Sequence, residues 1–223
     1  MNKIKYIAAV LIALAGLGLQ QAKADTFISS LNQGNTAISG FTGPYGTVTI
    51  TTNGTNQATV TFTSNTVAGN TYLFGDGSSV ALNVSVATFS VSGISGSNAG
   101  TGFTPGGWTS VGAGNVDGFG VFNLRIRSFD GFTHSSDTIT FTLTNTAGVW
   151  GSAASVLALN ANGFDAAAHI FVTTSPANAS NSALATGFAG EGAQGHVPDG
   201  GTTVMLLGVA LGALGMARRF LMS

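Results

Sequence analysis

The sequence predicts an all-β fold: an antiparallel β-sandwich, jelly-roll-like or Ig-like, with at most one short helix and a separate C-terminal hydrophobic helix. Three observations support this class. Several segments between residues 47 and 174 alternate polar and apolar side chains with the period of two that a half-buried strand requires. Turns rich in Gly and Asn separate these segments, and only one stretch carries helix signals. An apolar run near the C-terminus supplies the separate helix.

The first 24 residues have the composition of a secretory signal peptide. Lys3 and Lys5 precede an apolar run over residues 7–19, and Ala22-Lys23-Ala24 provides a small-x-small cleavage site. The alternative, an uncleaved membrane helix, needs about 20 apolar residues, which is more than this run provides. We therefore expect residues 1–24 to be removed and the mature chain to begin at Asp25.

A hairpin is the clearest local prediction. Residues 47–51 and 58–63 both alternate, and Val48 and Ile50 share one face of the first strand. Asn53-Gly54 lies between the two segments and supplies the left-handed backbone that a tight turn needs. Two antiparallel strands with one apolar face follow.

A second β block covers residues 80–94. Val84 and Val86 are in one phase, whereas Phe89 and Val91 are in the other, which predicts a bulge or bend near Ala87-Thr88. The residues from 93 to 107 are rich in Gly, Ser and Asn and predict a loop.

The remaining elements complete the predicted domain of residues 25–175. Alternation over 122–127 and 138–144 predicts two neighbouring half-buried strands. Ser152 is a candidate N-cap for a short helix over 153–160, and residues 166–174 predict a last strand. Small and polar residues then predict a flexible linker over 176–196.

The tail from 197 to 223 has three parts in order. Val197-Pro198-Asp199-Gly200-Gly201 forms a polar turn, residues 202–217 are apolar, and Arg218-Arg219 ends the run. The run is shorter than the ~20 residues of a full membrane span, so a buried core helix is the alternative. A core helix on the surface of a sandwich has a polar face, and this run has none. We therefore predict a short transmembrane segment whose basic pair stays on the inner side.

These tail residues resemble the PEP-CTERM class of sorting signals, and most closely its VPDSG-CTERM variant. The resemblance implies export by the general secretory route, recognition by an exosortase-type membrane transpeptidase, and transfer to the cell envelope or extracellular matrix of a Gram-negative-type bacterium. Gly200 stands where the variant has Ser, which leaves the cleavage position open. Segments within 117–143 and 167–171 look like the body of many secreted proteins with this tail, whose role is generally unassigned.

Composition excludes several function classes. The chain has no Cys, so disulfides, thiolate nucleophiles and cysteine-held metal sites are excluded. Arg125 and Arg127 are the only Lys or Arg residues between the signal peptide and the tail. Two arginines cannot neutralise many phosphates, so we expect no nucleic-acid partner.

Catalytic machinery is not evident in the sequence. No serine lies in a Gly-x-Ser-x-Gly elbow. The nearest approach to a catalytic cluster is Asp130, His134, Ser135 and Asp137, and their adjacency in a turn between strands favours a loop over a triad. We expect no catalytic residues and no enzyme activity.

We also expect no cofactor, with calcium as the one metal considered. Asp76, Asp117 and Asp130 each precede a Gly, but none has the ligand spacing of an EF-hand loop, and Asp-Gly is a common hairpin turn. His169 lies in a predicted strand, where a satisfied or surface imidazole is the expectation.

Two further surfaces were considered for ligand binding. Trp108 and Trp150, with Tyr45 and Phe132, could form a stacking platform for sugars, although core packing is the default for such residues. The Thr-x-Thr ladders at 47–51, 59–63 and 138–144 suggest an ice-binding face, but Thr is also common on the solvent side of strands.

The sequence thus predicts an exported, non-catalytic protein of the cell envelope or extracellular matrix, sorted through its tail and held transiently in the membrane by it. The alternative is a carbohydrate-binding module for extracellular polysaccharide, with Trp108 and Trp150 as the ligand-binding residues.

Overall fold

The computed structural model describes residues 24–52, 54–75, 79–97, 109–127, 135–176 and 183–191. The signal peptide, Trp108 and the whole tail lie outside these ranges. Within them, the chain forms fifteen strands and two short 3-10 helices, at Thr36–Ile38 and Ala153–Ser155. The strands are β1 (Asp25–Leu31), β2 (Gln33–Gly34), β3 (Gly46–Thr52), β4 (Gln57–Ser64), β5 (Thr66–Val67), β6 (Asn70–Phe74), β7 (Val80–Leu82), β8 (Phe89–Ser97), β9 (Thr109–Ser110), β10 (Gly114–Val116), β11 (Gly120–Phe122), β12 (Leu124–Arg127), β13 (Thr138–Asn145), β14 (Ala166–Thr173) and β15 (Ala185–Gly190).

Most strands belong to two large sheets. A five-stranded sheet has the order β1-β3-β4-β13-β8, and an eight-stranded sheet runs β2-β15-β14-β7-β12-β9, with β6 beside β14 and β5 beside β6. β10 and β11 form a separate hairpin. The ladders within both sheets are antiparallel. The all-β, antiparallel part of the prediction is confirmed.

The main core lies between the two large sheets. Val48, Ile50 and Phe62 point into it from the five-stranded sheet, and Leu124 and Ile170 from the eight-stranded sheet; all are fully or almost fully buried. Each strand alternates its side chains between two faces, which gives each sheet one apolar face. Removing these apolar faces from water is the main force that holds the sheets together.

The predicted hairpin is confirmed as β3 and β4. Their register pairs Thr47 with Thr63 and Thr51 with Thr59. Gly54 has a φ of +68°, the left-handed conformation that the Asn-Gly sequence predicted. Asn53 itself lies outside the described residues.

The bend predicted near Ala87-Thr88 is confirmed, since residues 85–88 form a bend. The bend does not lie within one strand, because β7 belongs to the eight-stranded sheet and β8 to the five-stranded sheet. The chain crosses from one sheet to the other, and β8 continues through residues 93–97, which were predicted as loop. The prediction that β12 and β13 are neighbours is wrong: they lie in different sheets, and both contribute side chains to the main core.

The predicted helix over 153–160 is a single 3-10 turn. Ser152 caps it as expected: its hydroxyl accepts from Ser155 N, and the Ser155 hydroxyl accepts from Ser152 N. The helix ends there because the following residues pair with another segment. Val156 O accepts from Ser85 N, and Leu157 forms an antiparallel bridge with Val84.

The prediction of a flexible linker over 176–196 is wrong for residues 185–190, which form β15. This strand alternates like the others: Ala189 packs into the main core, whereas Phe188 lies on the outer face and stacks on His169 with ring centroids 4.6 Å apart. Gly187 and Gly190 permit close approach, since a Cβ at Gly190 would lie 2.4 Å from the Phe119 ring. The small residues of β15 therefore allow neighbouring side chains to pack closely against the strand.

Candidate functional site

β15 carries the chain from the β-rich body towards the tail. It pairs with β14 on one side, from Ala167↔Gly190 to Val172↔Ala185, and with β2 on the other through Ala189↔Gly34. Glu191 then donates its backbone N–H to Ala166 O at 3.0 Å. Glu191, which makes this hydrogen bond, precedes Val197 by six positions. The predicted sorting residues are outside the described ranges: Val197, Pro198, Asp199, Gly200, Gly201, Arg218 and Arg219.

Two buried carboxyl groups meet at this junction. Asp165 immediately precedes β14 and is 1% exposed, and Glu191 immediately follows β15 and is 6% exposed. Burial, reinforced by the neighbouring carboxyl group of Asp165, raises the pKa of Glu191 to about 8. Ser29 of β1 opposes this shift from the opposite sheet, although its hydroxyl forms no well-directed hydrogen bond among the described residues.

The carboxyl pair therefore holds a proton at neutral pH. Two ionised carboxylates cannot both be buried side by side without a large electrostatic cost, so Glu191, with its pKa raised to about 8, remains protonated at neutral pH. Two carboxyl groups fall short of the roughly six to eight oxygen ligands that Ca²⁺ takes. No group of three or more His, Asp or Glu side chains suited to a metal ion occurs among the residues described.

No sequence pattern indicates this pair. Asp165 and Glu191 are far apart along the chain, and Glu191 fell in the predicted linker. Only the pairing of β14 with β15 brings them together. The burial of Glu191 follows from its position directly after β15, so it can be predicted only when that strand is predicted.

Asn35 fixes the outer edge of β15. Its backbone N–H donates to Phe188 O at 2.8 Å, and its side-chain oxygen accepts from Phe188 N at 3.1 Å. Its side-chain amide donates to Asp117 Oδ2 at 3.0 Å. Asp117 lies in the β10–β11 hairpin turn, where Gly118 has a φ of +85°. Asp117-Gly118 therefore forms part of a hairpin turn. Asp76 and Asp130 are outside the described residues.

Trp150 does not form the predicted sugar-binding platform. It is 4% exposed and belongs to the main core. Tyr45 is also buried, and its hydroxyl donates to Phe41 O at 2.6 Å. Trp108 and Phe132 are outside the described residues. A platform built on Trp150 is therefore wrong, because a stacking surface must be accessible to the ligand.

Only two members of the catalytic-looking cluster are described. Ser135 is completely buried, and its hydroxyl has no hydrogen-bond partner in the described ranges. Asp137 accepts a hydrogen bond from Ser97 Oγ at 2.6 Å at the edge of the five-stranded sheet. Asp130 and His134 lie outside the described residues, so the loop interpretation of the cluster stays a prediction.

The threonine ladders lie side by side on the outer face of the five-stranded sheet. The registers place three residues from each of five strands in three rows, and we call these fifteen positions the hydroxyl face. The rows are Ser30-Thr47-Thr63-Thr138-Ser97, Ile28-Thr49-Thr61-Thr140-Ser95 and Thr26-Thr51-Thr59-Thr142-Ser92. The sequence predicted the ladders on β3, β4 and β13. The structure shows that these ladders are aligned and that β1 and β8 extend the array on its two sides.

The part of the chain that the structure describes is a β-rich body whose last described strand is β15. In the comparison with protein families, the model described as the VPDSG-CTERM motif matches residues 196–220. The tail is therefore a PEP-CTERM-like sorting signal, as the sequence predicted. No curated protein and no solved structure matches the chain.

The matched motif defines the chain as an exported protein that is sorted through its tail, and implies processing by an exosortase-type enzyme. The motif also indicates a secreted, envelope or extracellular location. The membrane segment predicted over 202–217 falls outside the described residues. Among the helices that the structure does describe, none has the length and hydropathy of a membrane span.

Proposed function

We propose that this chain is a cell-envelope or extracellular-matrix protein whose β-sandwich domain is a non-catalytic passenger. The observation that carries the proposal is the sorting motif at 196–220, directly after the end of the folded body. On this route, the apolar run 202–217 holds the protein in the membrane transiently, and an exosortase-type transpeptidase cuts the tail and transfers the body to the envelope or matrix.

The separation of body and signal supports this route. β15 ends at Gly190, and the matched motif begins at residue 196. Cleavage at or after Val197 removes no residue from the described strands. The passenger therefore keeps both sheets and the hydrogen bond from Glu191 N to Ala166 O after processing.

A non-catalytic role is supported by the chemistry of the body. The chain has no Cys and no Gly-x-Ser-x-Gly elbow, and Ser135 is enclosed in the core. Glu191 and Asp165 are similarly enclosed, so a substrate could not reach them without opening the junction. Several ionisable groups of the described body make structural contacts, such as Asp117 with Asn35 and Asp25 with Ala153 N.

Cell fractionation tests the proposal. The full chain is compared with a chain ending at residue 196 and with Asp199→Ala in the motif. We expect the full chain in the envelope or matrix fraction after tail removal, and the two variants mislocalised or unprocessed. Gln194→Ala, upstream of the matched motif, is the matched control and should behave as wild type. Unchanged soluble distribution of the full chain and of the truncated chain would sink the sorting proposal.

Carbohydrate binding is the second candidate function. Burial of Trp150 removes one member of the proposed aromatic platform, and Trp108 alone stays a prediction. The observation that favours carbohydrate binding is instead the hydroxyl face, because a polysaccharide is itself a surface of neutral hydroxyl groups.

A further inference from the structure

The hydroxyl face is a regular array on one side of the molecule. Fourteen of its fifteen positions carry a Thr or Ser hydroxyl, and the exception is Ile28. The central nine positions, on β3, β4 and β13, are all Thr. All fifteen side chains are half-buried or exposed, whereas their neighbours along β3, β4 and β13 point into the core.

The array depends on one irregularity in β8. Ser95 pairs with Thr140 and Ser92 with Thr142, so the register shifts by one residue between them. Gly93 lies at this shift with a φ of +62°. The bulge returns Ser92 to the outer face and aligns it with the threonine row, which extends the hydroxyl face to the sheet edge.

Neighbouring hydroxyls contact one another across strands. Thr61 Oγ1 lies 3.2 Å from Thr140 Oγ1, and Thr26 Oγ1 lies 3.3 Å from Thr51 Oγ1. Each hydroxyl can donate one hydrogen bond and accept others. The face thus offers donors and acceptors together, at about 4.8 Å between strands and about 6.8 Å between alternate residues of a strand.

The chemistry of the face excludes most macromolecular partners. Protein interfaces use aromatic, Met and Arg anchors and are depleted in Ser, and only Ile28 offers an apolar anchor here. Nucleic acids and anionic membranes require basic side chains, and none of the fifteen positions is charged. A neutral partner rich in hydroxyl groups complements both the charge and the hydrogen-bonding pattern.

The twist of the sheet selects a chain over a flat crystal. Neighbouring strands in a sheet rotate by roughly 20 to 25°. Across five strands this rotation turns the rows away from a common plane, so an ice surface would meet only part of the array. A polymer chain can follow the rotation and contact successive rows.

We propose that the hydroxyl face binds a neutral polysaccharide chain laid across the rows of β3, β4 and β13. This inference rests on the proposed function, because an envelope or matrix location brings the protein to such polymers. Binding is the sum of many weak hydrogen bonds, and it needs no aromatic platform and no metal.

The test is retardation of the purified full chain, in detergent without sugar headgroups, in gels containing soluble neutral glucans, galactans or mannans. Three substitutions in the middle row, Thr49→Val, Thr61→Val and Thr140→Val, remove three hydroxyls and keep β-branched side chains of the same size. We expect retardation of wild type by at least one neutral polymer and a loss of affinity of about tenfold or more in the triple variant.

The matched control removes another hydroxyl pair from outside the face: Thr66→Val with Thr71→Val, whose Oγ1 atoms lie 3.0 Å apart. This variant should bind like wild type. Circular dichroism and melting temperature check that all variants fold, and Thr61→Lys offers a second disruption by a long charged side chain. Any of the following outcomes overturns the proposal: no retardation by any neutral polymer, equal binding by the triple variant, binding only to acidic polymers, self-association that the triple variant abolishes, or shaping of ice crystals.

The two proposals fail separately. If the hydroxyl face does not bind polysaccharide, the triple variant and wild type behave alike in the gels, yet fractionation still reports sorting through the tail. If the tail does not sort the protein, fractionation fails while retardation of the purified chain persists.

Discussion

Glu191→Gln should change the pH dependence of stability. The pKa of Glu191 is raised from its ordinary value of 4.5 to about 8 by burial first and by Asp165 second. A raised pKa means that the folded state binds this proton more tightly than the unfolded state. Its contribution to stability is therefore complete below pH 4.5 and is lost as the pH rises towards 8.

The magnitude follows from the size of the shift. One pKa unit corresponds to about 1.4 kcal/mol, so between pH 4.5 and pH 7 wild type loses about 3 kcal/mol of unfolding free energy through this group. Gln has nearly the same shape and stays neutral at every pH. The variant should lack this loss, so the difference between the two proteins should grow steadily as the pH is raised.

The assay is urea unfolding followed by the fluorescence of the tryptophans, at several pH values from 4.5 to 9 and at constant ionic strength. Glu191→Asp keeps a carboxyl group at the site and serves as the control that retains a pH-dependent loss. Asp165→Asn removes the partner that raises the Glu191 pKa and should shift the loss to lower pH. A pH profile for Glu191→Gln that parallels wild type would refute the reasoning.

Three further substitutions test the packing of the body. Trp150→Ala should lower the unfolding free energy by about 3–5 kcal/mol, measured by chemical denaturation, because it empties a site in the main core; Trp150→Phe should cost clearly less. Gly190→Ala should lower the melting temperature, since its Cβ would lie 2.4 Å from the ring of Phe119; an unchanged melting curve would contradict the close packing. Asn35→Ala leaves the N–H of Phe188 without its side-chain acceptor and should cost about 1–3 kcal/mol, and faster hydrogen exchange at Phe188 would locate the loss.

Local patterns predicted local structure well. Alternation and the Asn-Gly turn located β3 and β4, because the hairpin depends on residues close in sequence. The Ser152 cap was also correct, although the helix it begins has one turn. The length of this helix depends on a bridge between Val84 and Leu157, and no local sequence pattern predicts that contact.

Errors arose where neighbours distant in sequence decide the structure. The phase change after Val86 is equally consistent with a bulge or with a move to the other sheet, and the choice depends on which strands β7 and β8 pair with. Residues 185–190 read as spacer because Ala and Gly have low β propensity. They form a strand because β2 and β14 are placed to pair with both of its edges.

Strand pairing also decided which parts of the candidate site could be predicted from the sequence. The tail was recognisable because a sorting signal must be read from a short linear segment. The Asp165–Glu191 pair and the alignment of the hydroxyl face were not, since both follow from strand register. Trp150 was considered for ligand binding because an aromatic residue in a predicted loop gives no sign of its burial.

The position of β15 also orders the events of export. On the proposed route the chain crosses the membrane from its N-terminus, so β2 and β14 emerge before the strand that fills the gap between them. Val197 follows Glu191 by only six positions, a distance of at most about 20 Å when fully extended. On this route a tail held in the bilayer keeps β15 close to the membrane surface when it pairs with β2 and β14, and the segment that the enzyme removes lies entirely after this strand.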